Sequence, residues 1–225
     1  HLMNFENIKN LAIYGNMKLD GNRDGAIIGG QYGDAGWQIT AYGLRVCNVE
    51  KFSIENIDTY DHLLDGLYIA GCNSKTSPDV FNPNYSGSIR NVHSLRNSRQ
   101  GCSFTGGQNI SFYDCNFADT ALPSFSLTSP PSSNLDIEAE INPIRNANFY
   151  NCRFGTASGT SLVAASSDSR GVNFHNCRFI NAIGSTLWVQ KPEFKFFNCY
   201  FNGYTEGSYK TDIHKDRTVY NDCEF

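Results

Sequence analysis

Two carboxylates stand two residues apart in Asn134-Leu135-Asp136-Ile137-Glu138, and a third, Asp65, opens another short apolar stretch, Asp65-Gly66-Leu67-Tyr68-Ile69. On an extended strand, side chains two apart share a face. Asp136 and Glu138 then project together, with Cα atoms about 6.5–7 Å apart. Two carboxyl groups on one groove can divide general-acid and general-base work when their surroundings separate their pKa values. The spacing is near that with which an inverting glycosidase admits a water between its acids. Asp136 and Glu138 are thus the candidate catalytic pair, with Asp65 assisting. Arg99 can bind a substrate carboxylate or keep a neighbouring acid ionised. Gln100, Tyr68 and Trp188 offer hydrogen bonds and ring surface to a sugar. His62 is a further candidate contact, weighed against a turn histidine bonded to backbone. The bland alternative for the acids is a solvated outer strand face.

These residues meet only if the chain brings their strands into register, and a repeat supplies that register. Asp114-Cys115-Asn116-Phe117 returns as Asn151-Cys152-Arg153-Phe154, Asn176-Cys177-Arg178-Phe179, Asn198-Cys199-Tyr200-Phe201 and Asp222-Cys223-Glu224-Phe225. An apolar residue stands three positions before each Cys, so the phrase reads as a period-2 strand with Cys and Phe on one side. One strand motif per 20 to 25 residues, with no helical segment between, predicts an all-β solenoid, a parallel β-helix of about 7–8 coils. Stacked Cys and Phe fill its core. Aligning the strands after each turn puts Leu67, Cys102, Leu135 and Leu187 inward. Tyr68, Ser103, Asp136 and Trp188 form an outward column, and Ala70, Thr105, Glu138 and Gln190 the next. Asp65 and Gln100 share a column just before the strand. Asp65, two coils from Asp136, lies about 10 Å away.

Composition narrows the partners. A net charge of −4 and no basic run exclude a nucleic-acid partner, and no apolar stretch is long enough for membrane insertion. The eight cysteines follow the coil period without a Cys-x-x-Cys pair. They read as free structural thiols instead of a disulfide framework or metal site, and as a sign of folding in a reducing compartment. Asp20-Gly21-Asn22-Arg23-Asp24 lacks the ligand spacing of a calcium loop and reads as a turn. No cofactor or metal is indicated. His93, His175 and His214 read as surface residues. His1-Leu2-Met3 reads as a cloning scar, and residues 4–225 as one β-helix domain whose ends fall inside coils, a fragment of a longer chain. Irregular stretches at 23–44, 73–87 and 121–134 read as insertions, which in a solenoid usually build the binding face.

With these residues in view, the chain resembles the right-handed parallel β-helix proteins of the pectate-lyase-like superfamily. Within that group, Arg99-Gln100-Gly101 followed by Asp136-Ile137-Glu138 is similar to a pattern of phage tail-spike and bacterial polysaccharide-acting β-helices. The polygalacturonase, mannuronan-epimerase and pectate-lyase signatures are missing. The resemblance implies a polysaccharide ligand, a location on a virion tail or cell surface, and a homotrimeric full-length protein. The expectation is a polysaccharide depolymerase acting on a bacterial surface or acidic glycan, with hydrolysis favoured over lysis because acid pairs are visible and a clustered Lys/Arg base is not. The alternatives are a non-catalytic receptor-binding or adhesive β-helix and a structural spacer of a surface fibre.

Overall fold

The computed structural model describes residues 2–37, 39–74, 82, 84–165, 167–209 and 216–225. Every strand pairing in it is parallel, as expected when one chain coils and stacks each turn on the last. One row of rungs carries the candidate site: Met3–Glu6, Leu44–Cys47, Leu67–Ala70, Cys102–Phe104, Leu135–Ile137, Thr160–Ala164, the second half of Arg178–Val189, and Tyr200–Glu206. A second row of longer strands, from Asn10–Asp20 through Ala139–Tyr150 to Val219–Asn221, closes the other side of the coil. Short strands such as Asn116–Ala118 and Arg153–Phe154 join the two. The rungs number within the expected coil count. Met3 already pairs with Leu44.

The repeated Cys phrase is a corner, which corrects its reading as one continuous strand. The strand Ala139–Tyr150 ends, Asn151 turns at φ 55°, and Arg153–Phe154 starts a new strand. Asp114, Asn176, Asn198 and Asp222 take the same left-handed conformation, at φ 55°, 54°, 52° and 52°. Asn and Asp tolerate it better than other side chains. Their amides also bond from coil to coil: Asn151 donates to Asp114 at 3.1 Å, Asn176 to Asn151 at 3.3 Å and Asn198 to Asn176 at 2.8 Å. Replacing Asn176 with Val should therefore cost about 1–3 kcal/mol, while Asn176→Gly should cost less. Urea midpoints of the two variants test the ordering.

On both sides of the corner the apolar residues still point inward. Phe112, Phe149, Phe174 and Phe196 stack with ring centroids 4.3, 4.7 and 4.9 Å apart. Phe117, Phe154, Phe179 and Phe201 form a parallel stack. Edge-to-face contacts, such as Phe149 on Phe154 at 6.0 Å, lock one stack to the other. All eight cysteines are free, and all but Cys223 are buried. Burial raises the thiol pKa of Cys102, Cys115, Cys152 and Cys177, which keeps these core groups neutral.

The alignment needs one correction. Thr160–Ala164 is a rung of its own, pairing Leu135 with Leu162 and Leu162 with Leu187. Trp188 therefore lies two coils beyond Asp136, with Val163 between them. The insertions at 23–43 and 121–134 fold back on the edge of this row. Ser129 donates from Oγ to the Tyr32 carbonyl at 3.1 Å and accepts from the Asp34 N–H at 3.2 Å. Arg23, buried, bonds the Arg96 carbonyl at 2.6 Å and lies over the Phe125 ring. The expected insertion at 73–87 and the expected surface position of His214 fall largely or wholly outside the described residues.

Candidate functional site

The outward side chains along the site row run Asn4, Arg45, Tyr68, Ser103, Asp136, Val163 and Trp188, one per rung. Consecutive members are about 4.8 Å apart along the coil axis. The expected column of Tyr68, Ser103, Asp136 and Trp188 is thus assembled, one coil longer than its alignment implied.

Asp65 sits at the corner before its rung and is fully buried. Arg99 meets it with two parallel bonds, Nε to Oδ1 at 2.8 Å and Nη2 to Oδ2 at 2.7 Å, and Ser103 Oγ donates to Oδ2 at 2.8 Å. The other end of Arg99 reaches Asp34 of the 23–43 insertion at 2.9 Å. Burial opposes the Arg99 charge, but Asp65 and Asp34 outweigh it and raise the guanidinium pKa. Arg99 and Asp65 are therefore committed to each other. Of the two roles expected of Arg99, this geometry matches the partner of a neighbouring acid.

Gln100 is also committed. Its Oε1 accepts from the Ser133 N–H at 3.0 Å, and its Nε2 donates to Asp136 Oδ2 at 2.7 Å. Asp136 is only 8% exposed. Burial drives its pKa well above the usual carboxylate range. Glu138 and Asp65 push the same way, and Arg99 opposes them. These surroundings favour the neutral form of the Asp136 carboxyl, on the outward side of its rung. Glu138, half-buried, follows it.

Two residues beyond Glu138 is Glu140, which the sequence reading passed over although it continues the alternation. The Glu138 N–H bonds the Phe104 carbonyl and the Glu140 N–H the Thr105 carbonyl, an irregularity in the ladder just after the Asp136 rung. Tyr68 Oη donates to Glu140 Oε2 at 3.5 Å, and burial with Glu138 nearby raises the Glu140 pKa. Tyr42, also missed, packs on Tyr68 with centroids 4.7 Å apart. Burial pushes its phenol up to about 12. Tyr68, Arg45, Thr105 and Glu140 line a cavity of about 270 Å³. Among the described residues no group of three or more His, Cys, Asp or Glu is placed to hold a metal ion.

His62 lies away from this surface. It is 2% exposed, its Nε2 lies 3.1 Å from the Leu19 carbonyl, and its N–H bonds Asn97 Oδ1 at 3.1 Å. This is the backbone-bonded turn histidine, not a ligand contact. Burial lowers its pKa to about 4. A depressed folded-state pKa gives stability that is complete above the unfolded value near 6.5 and is lost as pH falls through the folded one. The drop in Tm from pH 7 to pH 4 should therefore be smaller in His62→Gln than in the parent, by calorimetry at both pH values.

Trp188 is 43% exposed and borders a separate groove of about 500 Å³ with Val163, Ile183 and Tyr204. Two rungs to the other side of Asp136, Tyr68 is half-buried. Aromatic surface thus flanks the Asp136 rung on both sides.

No family model matches the chain, and no curated protein matches it either. Among solved structures, the tailspike protein of Acinetobacter baumannii bacteriophage Fri1, a capsular polysaccharide depolymerase, superposes with a TM-score of 0.50 at 19% sequence identity. The match covers 96% of this chain and 31% of that one, so this chain spans less than a third of the tailspike's length. The likeness establishes the class of fold, an all-parallel β-helix of the kind found in that tailspike. No helix among the described residues is long and apolar enough to cross a membrane.

Proposed function

We propose that the chain is the glycan-processing β-helix of a phage tail or cell-surface protein, and that it cleaves a bacterial polysaccharide along the Tyr68–Trp188 row. The observation that carries this reading is Asp136, a carboxyl 8% exposed on a rung with Tyr68 and Trp188 to either side, where burial favours its neutral form. A neutral acid next to a second carboxyl is the arrangement general acid catalysis of glycoside cleavage requires. In this reading Asp136 gives its proton to the departing glycosidic oxygen. Glu138 takes the proton of the attacking water, whose oxygen bonds to the anomeric carbon as the old C–O bond breaks. Gln100 positions Asp136, and the Asp34–Arg99–Asp65 cluster fixes the wall behind it. The full-length assembly, a homotrimer, is part of the same proposal and follows from the tail-spike resemblance.

Hydrolysis is favoured over β-elimination because the row offers acids, while Arg99 is held in ion pairs with Asp34 and Asp65, and Arg45 in one with Glu6. Cleavage in heavy-oxygen water separates the two. Hydrolysis places one solvent oxygen on each new reducing end, whereas elimination gives an unsaturated sugar and no label. Absence of label on cleaved product would overturn the hydrolase assignment. A binding-only role is the second reading, favoured by one observation: the groove at Trp188 has no carboxylate in its lining.

A further inference from the structure

The strand Arg178–Val189 breaks register with Tyr200–Glu206 between Ile180 and Ser185. Asn181, 3% exposed, holds that bulge. Its Oδ1 accepts from the N–H groups of Ala157, Ile183 and Gly184 at 3.3, 3.2 and 3.0 Å, and its Nδ2 donates to the carbonyls of Gly159 and Ser185 at 3.2 and 2.9 Å. A bulge fixed this way re-aims the side chains it carries, and here it leaves Ile183 53% exposed. In the next coil Gly203 turns at φ 133° under the Asn181 carbonyl, where a Cβ would clash at 2.5 Å, and Tyr204 stands 71% exposed beyond it. Gly184 lies so closely against Gly159 that a Cβ there would overlap the Gly159 carbonyl oxygen, which keeps the floor flat.

The groove these devices build, with Trp188 as its other wall, carries no charged residue in its lining. A uronate or phosphate would lose its water there with no cation in return. Contiguous exposed Ile183, Trp188 and Tyr204 mark a binding surface. The two rings suit the apolar face of a pyranose. Val163 and Ile183 add apolar surface beyond one ring face, the right partner for a methyl group. Thr160 and Ser185, whose hydroxyls are 2.9 Å apart, offer a donor and an acceptor beside it.

We propose that this groove is a subsite for an uncharged N-acetylated hexosamine unit, its acetamido methyl against Val163 and Ile183. The proposal rests on the reading of the row as a glycan groove and names the sugar class two coils from Asp136.

The chain's two tryptophans are Trp37 and Trp188, so Trp37→Phe leaves Trp188 as the only indole reporter. The Trp37→Phe protein is titrated with trisaccharides of N-acetylglucosamine, glucose and galacturonate. A saturable shift of Trp188 emission is expected with the first, with at least tenfold weaker binding of the galacturonate. Ile183→Asp, a change at an exposed position checked for folding by circular dichroism, should weaken the N-acetylated ligand at least tenfold. Equal binding of galacturonate, no response to any of the three up to millimolar concentration, or unchanged affinity in the folded Ile183→Asp variant would overturn the proposal. Failure of the catalytic reading is distinguishable, since Trp188 would still respond while no glycan was cut. Conversely, if the chain cleaves a polymer and Trp188→Ala cleaves it equally well, only the subsite is lost.

Discussion

Replacing Asp136 with Asn is expected to slow glycan cleavage by about 10²–10⁴-fold, the range for loss of a general acid, and to make the protein more stable at neutral pH. The substitution is isosteric, and the carbonyl oxygen of the new amide can still accept from Gln100 Nε2, which in the parent bonds Asp136 at 2.7 Å. What disappears is the transferable proton. The pH dependence follows from the raised pKa: activity of the parent should fall on the alkaline side as pH rises through the folded-state value of Asp136. Stability follows the same proton. An unfolded Asp releases it near pH 3.9, whereas the folded one holds it to higher pH. The contribution of Asp136 to stability is thus complete below the unfolded value and is lost as pH rises through the folded one. Asn carries no such loss, so the variant should melt above the parent at pH 7 and level with it at pH 3. Unchanged cleavage together with lower stability at both pH values would make Asp136 a purely structural residue.

Arg99→Ala should destabilise the protein by about 3–5 kcal/mol, the cost of removing one partner from a buried ion pair. Asp65 is fully buried, and it would keep only the Ser103 hydroxyl. Asp34 would lose its tie to the row, and with it the 31–37 turn would lose one of its anchors. Arg99→Lys should recover part of the loss, since an ammonium supplies charge without the two-pronged geometry. Changing the pair together, Arg99→Met with Asp65→Leu, should be far milder than Arg99→Ala, because no charge is then left buried alone. Urea unfolding of the three variants tests this. A loss below about 1 kcal/mol in Arg99→Ala, the scale of an exposed pair, would mean the cluster is solvated.

Much of this architecture is written in local pattern. The Phe and Cys positions of the corner phrase return once per coil and face inward, so the solenoid was readable from spacing. The Tyr68–Ser103–Asp136 column was readable because Gly66, Gly101 and Asn134 each precede a clean inward–outward alternation. Thr160–Ala164 escaped because five small residues, Gly155 to Gly159, separate it from the Asn151-Cys152-Arg153-Phe154 phrase of its own coil. Asp34 and Tyr42 were illegible for a different reason. They sit in an insertion with no periodicity, and their partners Arg99 and Tyr68 lie in other coils. The upward pKa shift of Asp136 comes first from burial, where strand spacing alone suggests open solvent. For the same reason strand spacing does not show that Arg99, Gln100 and Asp65 bond to one another's neighbours inside the fold: Arg99 to Asp65 and Asp34, and Gln100 to Asp136 and Ser133.

Cleavage of a polysaccharide by this chain is measured most directly as release of new reducing ends from a panel of bacterial capsular and acidic polysaccharides incubated with it. At least one polymer should be cleaved into discrete oligosaccharides, with cleavage slowed by about 10²–10⁴-fold in Asp136→Asn while binding of the same polymer persists. Saturable binding with no new ends after prolonged incubation, or cleavage at the parent rate in both Asp136→Asn and Glu138→Gln, would contradict the account.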